Sequence, residues 1–412
     1  MHSVTQYVRN GTDRCDADDE PSARSSRLPP EILEHIFLCN FSYEVPGADI
    51  HAHENPHSWR ANVKSILPCC GVSRDWYCVA SGLLYRQRID IRSVKAMKLL
   101  LRTVKEFKTR RESCPIRHLS VCNYAILHSS TFRQELNELT TVLLTHCTEL
   151  QFLECRFISL LQSPNTPSPF PIFSSLRELS IGDVHLGDIA PLLICAPALK
   201  RLDASMLGNP LFPSPSDALD APLSVPPPAF SLRDLRVANC RLSQAQARWL
   251  LANSRDIAQV DLLAGQYGML APLSCTIGRT VHSLCIRDFP QDSVGVAHDI
   301  SCFTRLTALR LGHYDWSWSE LLSAIAAPLE WLELPYSKVA LTYLTSALRD
   351  RTWLQSLGKV VIYHLGNTDR LHQVNSADVK ANRKMLEDLC YIRGIECSWI
   401  EEEVSGRDVG VA

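Results

Sequence analysis

One pattern constrains this chain more than any other. An aliphatic-x-x-aliphatic-x-aliphatic hexad, with Cys or Ala at some apolar slots, recurs from residue 116 onward. It reads Ile116-Arg-His-Leu119-Ser-Val121, then Leu150–Cys155, Leu176–Ile181, Leu199–Ala204 and Leu232–Val237. It continues as Ile257–Leu262, Val281–Ile286, Leu306–Leu311, Leu329–Leu334 and Leu357–Ile362. The central residues (Leu119, Leu153, Leu179, Leu202, Leu235, Val260, Leu284, Leu309, Leu332 and Val360) are spaced 34, 26, 23, 33, 25, 24, 25, 23 and 28 apart. A short alternating strand can bury one edge of itself only against another such strand, so a repeat of this kind must stack on its neighbours.

The second half of each repeat carries helical spacing. Ser243–Asn253 follows Leu235, Ser319–Ala326 follows Leu309, and a longer helix over about Thr131–Thr145 fills the widest interval. The other wide interval holds the Pro- and Ser-rich stretch Asn209–Ala229, which reads as an extended loop because consecutive prolines neither donate to a ladder nor continue a helix. A smaller insertion spans Ser163–Pro171. Asp378–Arg393, with Val379, Met385, Leu389 and Ile392 as its apolar set, reads as a closing helix, and Ile395–Ile400 as a last strand before an acidic tail. The expected fold is therefore α/β: a solenoid with parallel strands on a concave face and helices on a convex one, its period within the ~20–29 residues of leucine-rich repeats.

Ahead of the array lies different material. Residues 1–27 are polar and read as a disordered leader. In Leu28-Pro29-Pro30-Glu31-Ile32-Leu33-Glu34-His35-Ile36-Phe37, a proline at the first helical position and an acid in the first turn signal a helix start. Ile32, Leu33, Ile36 and Phe37 then share a face. After a polar insert near Ser42–Ser58 comes Val72-Ser73-Arg74-Asp75-Trp76, with Val72, Trp76, Val79 and Ala80 recurring on one side, and an alternating run, Arg88–Ile91. This order resembles the F-box, and joined to the repeats it resembles the F-box/leucine-rich-repeat class. The long insert and Tyr85, where the family commonly has Trp, depart from its pattern.

The domain reading is then a leader over 1–27, an F-box-like helical module over 28–91, a repeat solenoid over 92–376, and a cap and tail over 377–412. The resemblance implies a substrate-recognition subunit of an SCF-type cullin–RING ubiquitin ligase. Its adaptor surface would comprise Leu28, Pro29, Ile32, Leu33, Ile36, Phe37, Val72 and Trp76, and its partner would be the Skp-type adaptor. The alternative is a leucine-rich scaffold unconnected to ubiquitin ligation.

Strand alternation exposes the residues beside the last two apolar positions of each hexad. These are Glu154, Arg156, Arg201, Asp203, Asp234, Arg236, Asp261, Arg287, Arg310, Trp331 and Glu333. Interleaved charge makes a soluble face by default; the functional reading is a protein-binding surface on which Arg156, Arg201, Arg236, Arg287 and Arg310 take anionic groups. Tyr314, Trp316 and Trp331 supply the aromatic anchors typical of interfaces.

Other classes of function are disfavoured. With 42 basic against 44 acidic residues, the formal charge of −2 gives no drive toward nucleic acid or an anionic membrane. No apolar run approaches a bilayer span, and the polar N-terminus has no signal-peptide core, so the expected location is cytoplasmic and/or nuclear. The sixteen cysteines include no Cys-x-x-Cys and read as structural thiols. His53-Glu54-Asn55-Pro56-His57 matches a zinc-protease string, but Pro56 between the histidines breaks the helix that would bring both imidazoles to one metal. No nucleophile elbow or phosphate-binding loop is present, so no enzyme activity, cofactor or metal is expected.

Overall fold

The computed structural model describes residues 29–40, 66–86, 88–109, 113–122, 130–156, 170–182, 184, 186–205, 225–240, 242–263, 270–287, 293–312, 317–365 and 377–402. The chain forms two compact units that divide between Leu84 and Tyr85.

In the first unit, α1 spans Pro30–Asn40, a 3₁₀ turn Leu67–Gly71, and α2 begins at Arg74 and ends at Arg86. The Pro29 carbonyl accepts the Ile32 and Leu33 N–H groups at 3.0 and 3.1 Å, starting α1 where the proline pair predicts. Ser73 caps α2, its hydroxyl accepting the Trp76 N–H at 3.2 Å. A small core of Phe37, Ile66, Ala80 and Leu83 forms between these elements, with Trp76 and Val79 packed against it. The Phe37 and Trp76 rings meet edge to face, centroids 5.1 Å apart.

The second unit is one twelve-stranded sheet in strict chain order, β1 to β12, with every neighbouring pair parallel. The strands are β1 Arg88–Ile91, β2 His118–Cys122, β3 Phe152–Arg156, β4 Glu178–Gly182, β5 Arg201–Ser205 and β6 Asp234–Ala238. Then follow β7 Gln259–Leu263, β8 Ser283–Arg287, β9 Ala308–Leu311, β10 Trp331–Pro335, β11 Lys359–Leu365 and β12 Glu396–Glu402. The helices between them are α3 Val94–Thr109, α4 Ser130–Leu144, α5 Leu186–Ile194, α6 Gln244–Leu251, α7 Leu270–Ile277, α8 Ser293–Ser301, α9 Trp318–Ala324, α10 Lys338–Arg349 and α11 Ala377–Arg393. This is a leucine-rich-repeat-like solenoid.

All ten central hexad residues are direct register partners, Leu119 to Leu153 through Leu332 to Val360. The row extends at both ends, to Ile89 on β1 and Cys397 on β12. Arg88–Ile91, grouped from sequence with the helical module, thus pairs as the first strand of the sheet. A second buried column lies two or three residues ahead of each hexad. Along it Phe173, Ala196, Phe230, Ser254, Gly278 and Phe303 vary between large and small, as close packing of successive coils requires.

The helix predicted over Ser243–Asn253 is α6, fixed by a capping box in which Ser243 and Gln246 satisfy each other's backbone N–H groups. The closing helix is present but buries a different face. Leu386 and Cys390 are fully buried, whereas Ile392 is largely exposed and Met385 and Leu389 are half-buried. The i, i+4 pair turns toward α10 because Arg393, one turn further on, hydrogen-bonds the Leu348, Trp353 and Leu354 carbonyls at 2.8–3.4 Å. Gly394, at φ +71, ends the helix in the left-handed region. Residues 1–28, with the leader and Leu28, lie outside the described residues, as do most of the Pro-rich stretch and the Ser163–Pro171 insertion.

Candidate functional site

On each strand the hexad side chains enter the core, and the alternate side chains form rows on the opposite face. The central row runs Asp90, Ser120, Glu154, Ser180, Asp203, Arg236, Asp261, Cys285, Arg310, Glu333, Val361 and Ser398, each a register partner of the next. Neighbours in such a row stand close enough for charge pairing across strands.

That pairing is extensive. At the N-terminal end Arg88 reaches over β2 to Glu154, Nη2 to Oε2 2.6 Å, while the Ser120 hydroxyl donates to the same oxygen at 2.8 Å. Glu154 is therefore buried, not displayed as strand alternation alone suggests. Farther along, one Asp261 oxygen lies 3.7 Å from Arg236 Nε and 3.6 Å from Arg287 Nη2. Arg287 Nε also donates to Cys285 Sγ at 3.3 Å. Burial, and then the Asp261 charge, push the Cys285 thiol up to about 11, so it stays protonated at neutral pH.

Arg310 Nε lies 3.1 Å from Glu333 Oε1, and the same guanidinium stacks over the Tyr363 ring at 4.8 Å. The buried Tyr363 hydroxyl donates to the Leu311 carbonyl at 2.7 Å, and burial raises its pKa well above the ordinary tyrosine value. In the adjoining row Trp331 is 45% exposed, with Lys359 Nζ 5.5 Å from its ring centroid and 2.8 Å from Glu396 Oε1.

Of the predicted anion-binding arginines, the fold gathers Arg236, Arg287 and Arg310 on β6, β8 and β9, but around acids of the same face. Asp261 and Glu333 already neutralise much of their charge, so this is no basic clamp. Arg201 faces Asp234 on the neighbouring strand. Arg156 lies in β3, but its side chain falls outside the described residues, as do Tyr314, Trp316, His53 and His57. Trp318 is fully buried at the start of α9, so it anchors the core and is not available to a partner. Sequence reasoning missed Tyr363 and Lys359; continuing the alternation along Lys359-Val361-Tyr363 would have found both.

The predicted adaptor residues also divide. Pro29, Ile32 and Val72 are exposed, Ile36 and Trp76 are half-buried, and Leu33 and Phe37 are buried. A partner can meet the first three, whereas Leu33 and Phe37 serve the interior. Among the described residues, no group of three or more His, Cys, Asp or Glu is placed to hold a metal ion, and no helix is long and apolar enough to cross a membrane.

No protein-family model matches this chain, and no curated protein matches it either.

Proposed function

We propose that this chain is the substrate-recognition subunit of an SCF-type cullin–RING ubiquitin ligase. The N-terminal unit acts as the F-box that binds a Skp-type adaptor, and the leucine-rich-repeat array holds a protein target. The observation that carries this reading is apolar exposure on a very small core. Ile32 (47%), Val72 (60%) and Tyr77 (45%) lie open to solvent on a unit in which, among the described residues, Phe37, Ile66, Ala80 and Leu83 form the buried cluster and Leu33 is buried as well. A module of that size gains stability by burying such residues against a partner.

The target surface is the face bearing Trp331, Arg236 and Arg287, where half-exposed side chains combine aromatic area with N–H donors. Under this reading the chain itself carries out no bond-breaking step. Its contribution is effective concentration: a target held near the charged conjugating enzyme presents its lysine to the thioester in a nearly unimolecular step.

The test is co-purification of the full chain with a Skp-type adaptor. Retention by the wild type, lost in Ile32→Glu and Val72→Glu with thermal midpoints unchanged, supports the reading. A folded wild type that leaves a micromolar adaptor unbound overturns it in favour of a free-standing scaffold.

A further inference from the structure

We propose that Cys114 and Cys147 form a reversible redox site, a dithiol that a peroxide converts to a disulfide between the first coils of the array. The inference is independent of any ligase role.

Cys114 precedes β2 and Cys147 follows α4, in the turn ahead of β3, so the two thiols belong to successive coils. Their sulfurs are 3.7 Å apart, in contact, and both residues are buried. Sequence separation is 33, so nothing local forces the encounter; the parallel register of β2 and β3 creates it. At this point of the buried column other coils place Phe, Ala, Ser, Gly or Leu, and only here do two thiols adjoin among the described residues of that column.

The pair is also asymmetric. Cys114 retains slight exposure while Cys147 has none. The hydrogen bond shared with Cys147, helped by the Ile116 backbone, lowers the Cys114 pKa, and the same contact together with burial raises that of Cys147. Cys114 is the better thiolate and the one a small oxidant reaches first.

The chemistry balances with hydrogen peroxide as oxidant. The Cys114 thiolate attacks one peroxide oxygen, the O–O bond breaks, and Cys114 becomes a sulfenic acid as hydroxide leaves and takes up a proton. Cys147 sulfur then attacks Cys114 sulfur; its own proton departs with the sulfenic oxygen as water. Two thiols lose two electrons and two protons, and one peroxide becomes two waters. A thiol reductant reverses the change by exchange.

The experiment treats the folded full-length protein with graded hydrogen peroxide, removes the peroxide, unfolds the protein in denaturant containing N-ethylmaleimide so that every remaining thiol is blocked, and maps the linked peptides. Mapping is needed because Cys390 and Cys397 are themselves close enough to hydrogen-bond. The expected product is a Cys114–Cys147 linked peptide that dithiothreitol dissolves, accompanied by a raised thermal midpoint. Cys147→Ser should instead leave Cys114 as a sulfenic acid that dimedone captures. Recovery of both residues as maleimide adducts, at doses that oxidise the exposed Cys78 and Cys275, overturns the proposal. So does a linked peptide that forms only after the protein unfolds. The wild-type measurement needs no variant to fold.

Discussion

Tyr363 on β11 reaches past β10 and donates its hydroxyl to the Leu311 carbonyl at the end of β9, 2.7 Å away. The hydroxyl also stands over Gly312, where an added Cβ would lie 3.0 Å from the Arg287 Cα and 3.2 Å from the Tyr363 oxygen. One side chain thereby ties β11 to β9 across the intervening strand and forms the platform on which Arg310 rests.

Tyr363→Phe should therefore destabilise the array by about 1–2 kcal/mol, the cost of leaving a buried carbonyl without its donor. Urea denaturation of the two proteins measures this. Because the folded-state pKa of Tyr363 is raised, the unfolded chain ionises first as pH climbs past about 10. Wild-type stability should fall above that pH, and the Phe variant should lack this component of the fall. Equal stability of both proteins would show that the hydroxyl is not needed.

The Arg88–Glu154 pair predicts non-additivity. Arg88→Met removes the 2.6 Å guanidinium contact from a buried carboxylate that Ser120 also bonds, and should cost about 2 kcal/mol, a figure reduced for the partial exposure of Arg88. Adding Glu154→Gln should recover part of the loss. A double-mutant cycle by chemical denaturation measures the coupling, and additive effects would mean that the pair contributes nothing.

Two glycines should respond to alanine in opposite directions. A Cβ on Gly278 would stand 2.5 Å from the Ser274 carbonyl oxygen and 2.7 Å from that of Cys302, so Gly278→Ala should lose on the order of 2–3 kcal/mol by forcing backbone apart. Gly82, within α2, has nothing within 4 Å of the same position, so Gly82→Ala should gain about 0.5–1 kcal/mol of helix propensity. Thermal melts of both variants decide the matter.

Asp299 on α8 accepts a hydrogen bond from Ser274 at 3.2 Å, yet burial raises its pKa. The folded state therefore holds this proton more tightly than the unfolded chain does. The associated stability is present below the unfolded carboxylate pKa and lost as pH rises through the folded value. Asp299→Asn keeps an acceptor and removes the charge, so it should match the wild type in acid and exceed it near pH 7. Denaturant midpoints between pH 4 and 7 test this; a variant less stable at neutral pH would reverse the argument.

Trp331→Ala separates binding from folding. With nearly half of the residue exposed, its removal should change stability by no more than about 0.5 kcal/mol. Under the proposed function it should leave adaptor binding intact and deplete proteins captured with the adaptor complex. Loss of adaptor binding as well would place Trp331 outside the target surface.

The sequence alone determined the repeating coil, its register and most of its core. A residue's inward or outward direction follows from local backbone period, so Leu179, Leu235, Leu284 and Leu332 declared their row without any knowledge of distant contacts. Helix starts were legible for the same reason: Pro29-Pro30 and Ser243 act on backbone groups within one turn. Tertiary structure decided the rest. That Glu154 is buried under Arg88, that Asp261 serves two arginines, and that Cys114 meets Cys147 depend on segments brought together by strand stacking. The buried face of α11 was likewise settled by what packed against it, since Leu386/Cys390 and Leu389/Ile392 both satisfy helical spacing. Period encodes which way a side chain points, whereas charge pairing and thiol contact depend on which side chain it meets.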